Sequence, residues 1–233
     1  MPNDPDWTSR VVASIRANER PEMESSFRLA ALPLIDALEA AGLDTTDFGE
    51  FGWAMGSTFD CARATPIILD WLSRIADPRV KGAMVMSLFR QKAAQGEGAR
   101  RLIAEFHRPD YETDGSLRCS IGSTLATIAG PSDADAIIEI LRERRHGTAR
   151  QMFCDALLRT RDPRQVAVLI ELIDDDDVAG HAIAALRQGT SRRQVPEPEL
   201  VKPKLQALLG RPSASGFAKR QARSALKAIA RPS

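Results

Sequence analysis

One apolar pattern recurs five times along this 233-residue chain and leaves it little freedom in how to fold. The rows begin at Val80, Leu117, Ala149, Val178 and Ala218. Four residues on stand Met84, Ile121, Phe153, Ala182 and Ala222, and eight residues on stands a leucine in every row: Leu88, Leu125, Leu157, Leu186 and Leu226. All of these positions are apolar in a chain that is only 43% hydrophobic, and a spacing of four keeps them on one face of a helix. The residue before each leucine is small (Ser87, Thr124, Ala156, Ala185, Ala225), which lets neighbouring helices approach closely. The rows follow one another within the range of roughly 30 to 45 residues typical of helical repeats. The pattern is densest from Arg145 to Leu186, where three short amphipathic stretches follow in a row. None can make a core alone, so they must stack, and the pattern predicts a solenoid.

Between and beside the rows, the segments DPRVK, RDPRQVAVLIELIDDDDVAGHAIAAL and AKRQARSALKAIA resemble HEAT repeats of the short type also seen in phycobilisome lyases, with an Asp-Pro turn, a paired helix and a small-residue ridge. The resemblance covers roughly residues 62 to 230. RRHGTAR together with DDDVAGHAI is more narrowly similar to small bacterial HEAT-repeat proteins that share no agreed activity. The implied fold is all-α: a right-handed α-solenoid of about five to six HEAT-like helical hairpins. Residues 1–24 are expected to form a partly disordered N-terminal extension, and residues 25–233 a single domain. The resemblance carries no activity with it, because such repeats serve many unrelated ones.

The composition narrows the function classes. With 32 basic and 31 acidic residues the formal charge is +1, so no global field draws the chain to nucleic acid or a membrane. Three widely spaced cysteines, Cys61, Cys119 and Cys154, argue against a disulfide framework or a CxxC metal site and read as small hydrophobes. The start MPNDPDWTSR has no signal-peptide pattern, and no apolar run approaches the ~18 residues of a membrane span, so a cytoplasmic location is expected. No P-loop, GxSxG elbow or Rossmann fingerprint occurs, and Asp47-Phe48-Gly49 matches a kinase motif without any of its context. His107, His146 and His181 lie far apart with no HxxxH or HExxH spacing. The expectation is therefore no catalytic residues, no cofactor and no metal.

The same reading places a helix from Ser25 or Ser26 to Ala40, helices opening at Thr65-Pro66 and running from Arg79 to Ala94, and pairs at Glu97 to Phe106 with Leu117 to Ala129 and at Leu200 to Leu209 with Phe217 to Ala230. Val85, Met86 and Phe89 lie off the repeat face and call for a cover. The run Asp174 to Asp177 reads as a turn with an N-cap rather than a calcium loop. Residues 47 to 60 gather Phe48, Phe51, Trp53 and Phe59, either to seal the end of the array or to present rings to a partner; sealing is favoured.

Candidate partner-binding residues come from one further regularity. The residue after each row start is Lys81, Arg118, Arg150, Ala179 or Lys219, which predicts a basic ladder along an edge of the concave surface, or braces to turn aspartates such as Asp77 and Asp162. His146 and Arg150 are expected to open one second helix, Asp177 and His181 the next, and stacking to bring them together. With Phe51 and Trp53 these make up the expected site. The favoured function is a non-enzymatic scaffold that binds another protein; a toxin-neutralising immunity protein and a regulatory adaptor both fit. A nucleic-acid module of the DNA-glycosylase kind and a phycobilin lyase are the alternatives, the first weakened by the charge balance.

Overall fold

The computed structural model describes residues 21–46, 48–49, 59–111, 114–189 and 195–230, and among them every regular element is helical. Helix α1 (Pro21–Ala40) opens on proline, whose missing N–H costs nothing in a first turn, and so begins earlier than Ser25. Helix α2 (Cys61–Trp71) starts ahead of Thr65 because the Asp60 carboxylate accepts from the Arg63 amide. Asp77 does the same for α3 (Pro78–Ser87), accepting from the amides of Arg79 and Val80. This helix stops well short of Ala94. Arg90 takes a left-handed φ of 62°, and a separate 3-10 turn, Lys92–Ala94, follows.

Helix α4 (Glu97–Phe106) and helix α5 (Gly115–Ile128, capped by Asp114) form the next pair. Helix α6 (Ala134–Arg142) is followed by a 3-10 segment, Arg144–Arg150, that is broken at Gly147, where φ is 51°. His146 and Arg150 therefore precede α7 (Phe153–Thr160) instead of opening it. Then come α8 (Gln165–Glu171), α9 (Ala179–Gln188), α10 (Pro198–Gly210) and α11 (Gly216–Ile229).

The packing follows the apolar rows. Helices α4 and α5, α6 and α7, α8 and α9, and α10 and α11 pack as pairs, while α3, α5, α7, α9 and α11 touch in succession to make one continuous layer. Thirteen of the row positions are buried, and Ala149 and Leu226 are partly buried against the same core. The small residues before each leucine are all buried too. Close approach is most demanding at two glycines of this layer. A Cβ on Gly122 would stand 2.9 Å from the Cβ of Met152, and one on Gly180 would stand 2.5 Å from the Phe217 ring. Both distances are inside van der Waals contact, so α5 can meet α7, and α9 can meet α11, only without a side chain there.

At the N-terminal end Phe48 is buried, its ring 5.6 Å from that of Phe27, and Phe59 packs on the core. Both rings thus belong to the core or its margin. Phe51 and Trp53 lie outside the described residues. Val85 is buried, whereas Met86 remains 37% exposed.

Candidate functional site

Three members of the predicted basic ladder are not on a surface, while Lys219 is half-buried. Lys81 and Arg150 are 0% exposed and Arg118 only 4%. Asp77 and Asp162 are not their partners either, since those carboxylates are taken by Arg79 and Arg164 of their own turns. The hydrogen bonds from Arg164 hold the Asp162 carboxyl down at about 2. Each buried cation instead reaches forward to the next helix pair. Lys81 of α3 bonds Glu105 of α4. Arg118 of α5 meets His146, with its guanidinium 4.8 Å from the Phe106 ring centre. Arg150, ahead of α7, donates to the Leu141 carbonyl at 2.8 Å, to the Gly147 carbonyl at 3.0 Å and to Asp175 at 2.9 Å. Periodicity marks these positions correctly but cannot tell a rim from an inside seam, because both repeat at one height of the array.

In the fourth row Ala179 has no charge to offer, and the link runs backwards. Arg211, at the end of α10, donates to the Ile173 carbonyl at 2.7 Å and to Asp176 at 3.0 Å. The acidic run is thus consumed by contacts between successive pairs: Asp174 with Lys204, Asp175 with Arg150, and Asp176 with Arg211 and Ser213. Asp177 comes within 3.6 Å of Arg150, as expected of the cluster, and its carbonyl accepts from Gln151. His181 goes elsewhere. Its ring lies 5.0 Å from that of Phe217, and burial lowers its pKa while the Asp155 carboxylate opposes the shift.

The most concentrated chemistry lies where spacing gave no hint. His107, Glu143 and His146 each present a donor atom within 4.8 Å of the others. His107 caps the C-terminus of α4 and Glu143 that of α6, the equivalent place in two consecutive pairs. Aligning the ends of the first helices, rather than searching for short histidine spacings, would have put them side by side. Beneath them the Phe106 ring meets His107, His146 and Phe153 edge-on at 5.7, 4.9 and 4.8 Å between centroids.

His146 is the buried member, its side chain 1% exposed. Its Nδ1 lies 3.2 Å from Arg118, and since a guanidinium can only donate, Nδ1 accepts. Its Nε2 stands 2.8 Å from the Glu143 carboxylate, close enough to pair with it but not in the alignment of a good hydrogen bond. Burial pulls the imidazole pKa down, the Arg118 charge pulls further, and Glu143 opposes them. The fold thus favours neutral imidazole at both His146 and His181, whose folded-state pKa values lie below the ordinary 6.5. Stability from these groups is complete above that value and is lost as pH falls through it toward the folded-state values. The melting temperature is expected to drop between pH 7.5 and 5.5. His146→Gln, whose amide can still accept from Arg118, is expected to flatten that drop. An equal drop in the variant rules His146 out as its source.

Among the described residues no helix is long and apolar enough to cross a membrane. Comparison with known protein families, with characterised proteins and with solved structures finds no match for this chain.

Proposed function

We propose that the chain is a non-enzymatic scaffold of the HEAT-repeat solenoid type, and that it grips another protein along the outward side of its second helices. The observation that carries this reading is the unbroken layer of α3, α5, α7, α9 and α11 together with where charge is spent. The ion pairs Arg142–Glu171, Arg164–Asp135 and Lys204–Asp174 all join first helices or their flanking turns. The outward positions of α3, α5 and the middle of α9 are poor in charge, with exposed Met86 and Cys119 and half-buried Ser123, His181 and Ala184, whereas α7 carries Asp155 and exposed Arg159, and α11 exposes Arg220, Arg223 and Lys227. Depletion of charge with methionine retained is the composition of an interface centre. Burial of Lys81, Arg118 and Arg150 also takes cations from α3, α5 and the approach to α7, leaving those a phosphate backbone would need mostly on α11.

The test is a comparison of two faces. Cys119→Glu and Ala184→Glu place charge on the second-helix side, and Arg142→Glu alters the first-helix side. Affinity capture from the native cell is expected to retain a defined protein with the wild type and Arg142→Glu, and to lose it with the other two, all four melting within a few degrees of one another. Equal retention by every variant removes this face as the binding surface, and absence of any specific protein removes the scaffold reading.

A further inference from the structure

We propose that His107, Glu143 and His146 bind one divalent transition-metal ion of the zinc class at the junction between the α4–α5 and α6–α7 pairs. This goes beyond the scaffold reading and does not depend on it. Two imidazoles and a carboxylate are the donor set such ions prefer, and three protein ligands leave a further position open to water. Two observations carry the proposal. The first is convergence: three potential ligands from two successive helix pairs lie with their donor atoms within 4.8 Å of one another. The second is the place of His146 Nε2, a buried nitrogen in the cluster that meets the Glu143 carboxylate without the alignment of a good hydrogen bond. The Glu143 oxygen stands 2.8 Å from it. Two donors on a tetrahedral ion at ~2.0 to 2.2 Å each stand roughly 3.3 to 3.6 Å apart, so the carboxylate has to draw back by about half an ångström to admit the ion. Exposed His107 completes the set from the solvent side.

The surroundings also contain opponents of a cation. Arg118 lies 3.2 Å from His146 Nδ1, and Arg145 bonds Glu143 at 2.8 Å. A metal-bound histidine ordinarily donates its other N–H to an acceptor, and Arg118 offers a donor there instead. When Nε2 takes the ion it gives up its proton, and the neutral ring then carries a proton on Nδ1, so Arg118 has to turn aside. Arg118 therefore holds the affinity down. Replacing it by glutamine, whose amide oxygen can accept from Nδ1, is expected to tighten binding.

The probes are Co²⁺, read by its visible absorption, and Zn²⁺, read by thermal melting, on chelator-treated protein without a histidine tag. Expected are one saturable equivalent of Co²⁺, no sulfur-to-cobalt charge-transfer band, and a higher melting temperature with Zn²⁺. His107→Ala, at an exposed position, and Glu143→Gln are each expected to weaken binding on the order of 100-fold or more, since losing an outer-shell group alone costs roughly 10- to 100-fold. Cys119→Ser should change nothing. The proposal is overturned by no uptake in the wild type, by unchanged affinity in His107→Ala, by a thiolate band that disappears in Cys119→Ser, or by weaker binding in a folded Arg118→Gln.

Discussion

Asp175→Ala is expected to destabilise the protein by about 3 to 5 kcal/mol, the range for breaking a buried ion pair from one side. The Arg150 side chain is wholly buried, and its charge is compensated by Asp175 at 2.9 Å, with Asp177 more distant at 3.6 Å. Its Nη2 already lacks a hydrogen-bond partner. Removing Asp175 leaves a guanidinium inside the fold with two carbonyls and a half-exposed carboxylate at the edge of contact range. The Asp175→Leu, Arg150→Met double substitution should recover much of the loss, because the cost lies in the stranded charge and not in absent attraction. Urea unfolding of the three proteins decides it. A loss below about 1 kcal/mol in Asp175→Ala, the scale of surface changes, would mean that water reaches Arg150.

Leu157→Ala should cost about 2 to 5 kcal/mol, the range for truncating a fully buried leucine. Leu157 is 0% exposed on α7, which packs between α5 and α9 and also against α6. A cavity there loosens contacts on both sides along the chain, so hydrogen exchange should quicken in α5 and α9 as well as in α7. Faster exchange confined to α7, or a cost below about 1 kcal/mol, would contradict the central position of that leucine.

The apolar rows were legible because burial on a helix repeats every three to four residues and five copies reinforce one another. Local capping shifted the boundaries: Asp60 and Pro21 pulled helix starts forward, and Arg90 ended α3 before Ala94. The kink at Gly147 was hidden because the apolar spacing from Ala149 to Phe153 looks like uninterrupted helix. The candidate site was half readable. Lys81, Arg118 and Arg150 were found as a repeating set, but a polar residue repeating beside an apolar stripe can point into the seam or out of it, and only its partners decide. Glu105, His146 and Asp175 are those partners, and each stands at or beyond the end of a first helix, where the apolar period carries no information. His107 and Glu143 escaped notice for the same reason.

The buried and half-buried contacts that tie consecutive pairs together differ along the array: lysine to glutamate, arginine to imidazole, arginine to aspartate, and then an arginine–aspartate contact of reversed direction where Ala179 stands. The five units are therefore words in a fixed sentence rather than interchangeable beads. Swapping the second and third would set Arg150 against Glu105 and Arg118 against Asp175, which match in charge, but would leave Lys81 facing His146, a buried ammonium without its carboxylate. A chain built this way can keep its order through drift in its apolar residues, while deletion of the second unit would bury Lys81 against His146. Such an array has a definite length and direction written into its interior.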